Sequence, residues 1–112
     1  MLPSLEYENN GKRAENMAAR FLQNAGHKII AKNFKIFEGE IDIISLKNGL
    51  IYVNEVKKRS NASFKFVTEK QLQKIWYTFE TFLLQNPEYT NFEAQFQLLA
   101  VQNNKVQILD II

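Results

Sequence analysis

Three observations on this sequence predict an α/β fold, a mixed sheet flanked by helices. Apolar residues recur at helical spacing in two stretches, from Ala14 to Ala25 and from Leu72 to Leu83. Between and after them lie short runs rich in Ile, Val, Phe and Tyr, too short for helices. Turn residues separate those runs: Gly39, Asn48-Gly49 and Asn103-Asn104. The predicted order is α-β-β-β-α-β-β, with antiparallel strands at the front.

The first helix runs from about Tyr7 to Ala25, because Ala14, Met17, Ala18, Phe21, Leu22 and Ala25 form one stripe and Gly26 stops it. HKIIAKNF (27–34), EIDIISL (40–46) and LIYVNEVK (50–57) are the next three strands. His27 is expected as a surface strand residue without a role. SNASFKF (60–66) has no clear period and reads as a loop beside a charged region. Thr68 opens the second helix, whose apolar stripe is Leu72, Ile75, Trp76, Phe79, Phe82 and Leu83, and Asn86-Pro87 ends it because Pro blocks continuation. AQFQLLAV (94–101) and KVQILDII (105–112) form a hairpin across Asn103-Asn104.

The 112 residues suit one domain, 1–112, with a single core, and 46% apolar with 23% charged residues is ordinary globular usage. The absence of Cys excludes disulfides, thiolate zinc sites and a Cys nucleophile, and a single His argues against a His-rich metal site. Any metal is therefore expected on oxygen ligands. No apolar run approaches membrane-spanning length and MLPSLEYENN lacks a signal-peptide core, so no membrane association and a cytoplasmic location are expected. Charge is uneven. Lys57, Lys58, Arg59, Lys65, Lys70 and Lys74 face only Glu69 within residues 57–74, a basic run that suits phosphate backbones or acidic partners, although it also suits a solvated face.

The acidic residues of GEIDIISLKNGLIYVNEVKKR pose a problem in a strand pair. With Asn48-Gly49 as a two-residue type I′ turn, Lys47 faces Leu50, Ile44 faces Val53, Asp42 faces Glu55 and Glu40 faces Lys57. Strand alternation then puts Glu40, Asp42, Glu55 and Lys57 on one face. Opposed carboxylates destabilise a sheet unless a counter-charge joins them. Mg²⁺ is commonly held by one or two carboxylates with water and phosphate, so Asp42 and Glu55 are candidate ligands. Lys57 would orient or deprotonate a water, or stabilise charge on a phosphate. A plainer arrangement has Glu40 and Lys57 in a salt bridge, with Asp42 and Glu55 in solvent on an edge hairpin. Glu15, at the edge of the first helix's apolar stripe, suits either a solvated flank or the rim of a cleft. Thr68-x-x-Gln71 fits a capping box, yet Gln71 also opens the helix beside the basic loop, where a substrate contact is open to it.

GKRAENMAARFLQNAGHKIIAKNF, GEIDIIS and EVKKRS, in that order, resemble the YraN-like family of uncharacterised bacterial proteins. The match is close over residues 11–59 and looser beyond. That family resembles the PD-(D/E)xK nuclease superfamily, most of all Holliday-junction resolvases. The resemblance implies a restriction-endonuclease-like α-β-β-β-α-β core, with Asp42 and Glu55 on the metal, Lys57 as the catalytic lysine and Glu15 as the helix acid. Glu40 matches the family's Gly-Glu-Ile-Asp and is counted with the catalytic candidates. The sequence departs from the pattern in several places. SNASFKF lacks the family's loop glycine, Gln71 stands for a lysine, Gln95-Phe96-Gln97 stands for Arg-Phe-Asp, and Asn54 replaces an apolar strand residue.

The expectation is thus a Mg²⁺- or Mn²⁺-dependent nuclease acting on DNA, with branched DNA as the narrower substrate. Lys58, Arg59, Lys65, Lys70, Gln71 and Lys74 would contact nucleic acid, with salt-sensitive binding and little sequence preference. A resolvase-like role would require a symmetric homodimer. The rival readings are a nucleic-acid-binding module that keeps the fold without cutting, and a scaffold domain with a solvated charged face.

Overall fold

The computed structural model describes residues 10–58 and 67–111. Arg59, Lys65, the expected loop SNASFKF and the helix portion before Asn10 lie outside the described residues. Helix α1 (Asn10–Asn24) leads to strands β1 (Lys28–Ile36), β2 (Gly39–Lys47) and β3 (Leu50–Lys58). Helix α2 (Glu69–Gln85), a short 3-10 turn (Pro87–Tyr89), β4 (Glu93–Gln102) and β5 (Lys105–Ile111) complete the order. This is the predicted α/β architecture, consistent with a restriction-endonuclease-like core. The 3-10 turn is the one described element that the sequence pattern did not indicate.

The five strands lie in sequence order, with β3 and β4 parallel and the other pairs antiparallel. A parallel pair cannot be joined by a tight turn, and α2 lies in the connection. Asn48 and Gly49 both have positive φ, 52° and 78°, as do Asn103 and Asn104 at 52° and 60°, so both tight hairpins have primed turns. Each two-residue loop fixes its register: Lys47 pairs with Leu50, and Gln102 with Lys105.

Alternation sends each strand's apolar residues to two separate cores. Ala14, Ala18, Ala19 and Leu22 of α1 pack on Ile43, Leu99 and Val101, while Ile75, Phe79 and Phe82 of α2 pack on Ile44, Ile51, Val53, Phe96 and Leu98. Phe96 and Leu98 belong to one core and Leu99 and Val101 to the other, so the helices cover opposite faces. None of the helices among the described residues is long and apolar enough to cross a membrane.

Local signals close the helices. The N–H groups of Gly26 and His27 reach back to the carbonyls of Gln23 and Leu22 at 3.0 and 2.9 Å, and Gly26 has φ +95°, which makes a Schellman stop. At the start of α2, Gln71 N–H donates to Thr68 Oγ1 (3.1 Å) and the Thr68 N–H donates to Gln71 Oε1 (2.9 Å), completing the capping box.

The Schellman stop corrects the expectation for His27. The turn delivers a half-buried ring whose Nδ1 lies 2.9 Å from Ser45 Oγ and whose edge meets Tyr52, with ring centroids 4.7 Å apart.

Candidate active site

The β2–β3 ladder runs from Lys47–Leu50 to Ile43–Asn54. Beyond it, β2 stays with β1 through Phe34–Ile41 and Lys35–Glu40, while β3 stays with β4 through Glu55–Leu98 to Lys58–Val101. The sheet therefore forks, and Asp42 and Glu55 stand at the fork. Strict alternation also lapses there, since Ile41 packs in the α2 core and Ile43, two residues on, in the α1 core. Asp42 turns into the opening, and its Oδ2 accepts the Val56 N–H at 2.7 Å. A side chain thus satisfies a backbone donor at the point where the ladder ends.

Glu55 joins Asp42 by a side-chain hydrogen bond. Its side chain is only 21% exposed, and Lys57 Nζ lies 4.0 Å from its Oε2. Burial, then the hydrogen bond to Asp42 and that residue's charge, push the Glu55 carboxyl up to about 9, with Glu40 adding to the rise and Lys57 opposing it. Glu55 therefore carries a proton at neutral pH. The carboxylates expected to face each other from the turn register do meet, although the ladder ends one pair short of them. The proton on Glu55 eases their repulsion, while burial still opposes ionising the second acid.

Glu15 reaches the same field from α1. Burial chiefly, and the charges of Asp42 and Glu40, raise its carboxyl above the ordinary range, while a hydrogen bond from the Asn33 side chain and the Lys32 charge pull it down. Asn33 was not singled out from sequence. It has φ 54° within β1, between the Lys32–Ile43 and Phe34–Ile41 pairs, and Asn tolerates that conformation better than most residues. The only sequence sign of it was the Asn-Phe step at the end of the family-like segment.

Glu40 departs from its expected place. The ladder ends before it would face Lys57, its cross-strand neighbour in β1 is Lys35, and it is exposed. It contributes its field to Glu15 and Glu55. Lys57 instead pairs with Glu55. Among the nucleic-acid candidates, Lys58, Lys70 and Lys74 are exposed, and the Gln71 amide oxygen is engaged in the α2 cap.

Behind the fork, the Asn54 amide donates to Ser45 Oγ (3.0 Å) and to the carbonyls of Ile43 (3.2 Å) and Tyr52 (3.3 Å). Gln97 Nε2 donates to Asn54 Oδ1 at 2.9 Å. Two departures from the family-like pattern, Asn54 and Gln97, are thus partners in one buried network, and each supplies what the other needs.

The donor set bears on a metal. Asp42 and Glu55 offer hard oxygen ligands, and Glu55 lacks a full counter-charge if ionised, which a divalent cation would supply. No cluster of three or more His, Asp or Glu stands in metal-holding range among the described residues. The pair fits a cation that takes its remaining ligands from water and phosphate, as Mg²⁺ commonly does.

A family model described as "Uncharacterised protein family UPF0102" matches residues 14–108. The chain belongs to this family. The match spans most of α1, the fork and most of the final hairpin, so the YraN-like resemblance extends well beyond the residues that carried it. The UPF0102 protein of Persephonella marina is 31% identical over 100 residues, covering 86% of this chain and 85% of that one. A Francisella tularensis UPF0102 protein (strain SCHU S4) is 36% identical over 102 residues, 86% of each chain. A third, from Rhodopseudomonas palustris (strain HaA2), is 38% identical over 94 residues, 81% of this chain and 73% of its own.

Proposed function

We propose that this UPF0102 protein is a cytoplasmic, divalent-metal-dependent nuclease that hydrolyses DNA phosphodiester bonds, with branched DNA as its narrower substrate class. The observation that carries the reading is the hydrogen-bonded Asp42–Glu55 pair at the fork, with Lys57 beside it and Glu15 in the same field. Two carboxylates forced together in a half-buried cleft are costly for a merely structural hairpin and suit a cation and a phosphate.

Asp42 and Glu55 would hold Mg²⁺ or Mn²⁺, Glu55 giving up its proton as it does so. When bound, such a cation polarises a phosphoryl oxygen and lowers the pKa of water. Lys57 would stabilise charge developing on the phosphate or orient the attacking water. Glu15, held by Asn33, would accept a hydrogen bond or a proton at the rim, and Glu40 would keep the field negative. Lys58, Lys70 and Lys74, together with Arg59 and Lys65 in the undescribed segment and Gln71 through contacts its cap leaves free, would hold the backbone. Binding would therefore weaken steeply with salt. Paired cuts in a branched substrate would need a symmetric homodimer.

The test is Mn²⁺ calorimetry with and without a short duplex, followed by cleavage assays on linear, forked and four-way DNA, using the parent, Asp42→Asn and Glu55→Gln. Metal binding and cleavage lost together in both variants is the expected result. Salt-sensitive DNA binding without any metal binding or cleavage would replace this reading with a non-cutting DNA-binding module.

A further inference from the structure

Phe37 is fully exposed, at 100% of its accessible surface, on the turn between β1 and β2. Tyr77 of α2 is 52% exposed, and the two rings line one open hollow of about 530 Å³ with Glu38, Lys70, Gln73 and Lys74. Lys70, Lys74 and Tyr77 follow one another at helical spacings of four and three, so they share one side of α2.

The turn is seated firmly on the helix. A Cβ on Gly39 would lie 2.6 Å from Thr78 Oγ1, and that buried hydroxyl donates to the Lys74 carbonyl at 2.8 Å. Backbone and helix meet at a distance only Gly allows, which holds the β1–β2 turn beside the lysine-bearing turn of α2 and leaves the Phe37 ring in solvent. Gly39 also begins β2, and Asp42 lies three residues along it, roughly 10 Å away at the rise of a strand.

We propose that Phe37 and Tyr77 form a stacking platform for unpaired nucleotides, with Lys70 and Lys74 on the flanking phosphates. The proposal rests on the nuclease reading and deepens it by naming the substrate feature recognised beside the acidic fork. Paired bases hide their faces in the duplex stack, whereas an unpaired base offers a face to any exposed ring. The two ammonium groups outnumber the Glu38 carboxylate in the hollow and favour a polyanion over an apolar protein surface. Glu38 can accept a hydrogen bond from a base amino group.

The experiment uses a single-stranded oligonucleotide carrying 2-aminopurine and a blunt duplex of matching length, in EDTA, with the full chain as parent, Phe37→Ala and Tyr77→Ala. The parent is expected to quench the probe and to prefer the single strand. Phe37→Ala is expected to weaken single-strand binding about fivefold to a hundredfold, the range of one lost base stack, with duplex affinity unchanged and with Mn²⁺ affinity, titrated separately without EDTA, also unchanged. Equal parent affinity for both DNAs, with no loss in either variant, would overturn the platform and leave the nuclease reading intact. No DNA binding by the parent, either in EDTA or with Mn²⁺ present, would overturn both. A shift from dimer to monomer in sedimentation of Phe37→Ala, without change in DNA binding, would instead identify the patch as an interface between copies of this chain and overturn the proposal.

Discussion

The carboxylate of Asp42 accepts the backbone N–H of Val56 at 2.7 Å across the fork of β2 and β3. One bond satisfies a donor that the ended ladder leaves open and also aims the acid at Glu55. Structural and chemical roles therefore fall on one residue and are separable by substitution. Asp42→Ala strands the Val56 N–H, a loss of about 1–3 kcal/mol. Asp42→Asn keeps an acceptor oxygen. Thermal melts at pH 6 should show a drop of several degrees for Ala and little change for Asn; equal melting of the two variants would refute the structural role.

Glu55 gives stability a distinctive pH dependence. Its carboxyl stands near 9 in the folded chain against an ordinary 4.5, so between those values the folded state holds a proton that the unfolded state has released. The contribution is complete below the unfolded value and is lost as pH rises through the folded one. Glu15 is shifted the same way. His27 is lowered, by burial and then by Lys47, and so contributes stability that grows with pH up to its ordinary 6.5. The window from pH 7 to 9 lies above the ordinary His value and reports Glu55. Denaturant midpoints in EDTA should fall across it for the parent and be flatter for Glu55→Gln; parallel curves would contradict the assignment.

Metal binding should expel the Glu55 proton, since the ligand must be ionised. Mn²⁺ titrations at pH 7 in buffers of different ionisation enthalpy should report release of about one proton. The apparent affinity should rise by up to about tenfold per pH unit until the group's own range is reached. A pH-independent affinity with no proton release would remove Glu55 from the ligand set.

Asn54 and Gln97 should be energetically coupled. Gln97→Leu alone leaves Asn54 Oδ1 buried without that donor, and Asn54→Val alone strands the Gln97 amide, each costing about 1–3 kcal/mol. The double variant removes both needs and should recover part of the loss, a coupling of about 0.5–3 kcal/mol in a denaturation cycle. Strict additivity would show that the 2.9 Å bond carries no stability.

The legible parts of this protein are those set by neighbours in the chain. Leu72, Ile75, Phe79 and Phe82 mark a helix because side chains three and four apart share a side, and Thr68 with Gln71 closes its own cap. Asn48-Gly49 selects a primed turn, and the turn sets the pairing as far as Ile43 and Asn54. The family-like segments pointed to the family that the comparison bears out.

What the sequence could not carry is what depends on groups far apart along it. His27 looked like a surface residue until the helix stop set it over Ser45, and Asn54 looked like a misplaced polar residue until Gln97 met it across the parallel pair. Glu40 was matched to Lys57 on a register that the fork cuts short. By itself the sequence determined the two long helices, the five strands, their order and the adjacency of Asp42 and Glu55, because period and turn chemistry act over a few residues. Only the tertiary structure decided that the sheet opens at Asp42, that Asn33 holds Glu15, and that Glu55 keeps its proton, because burial and field are sums over groups that the fold alone brings together.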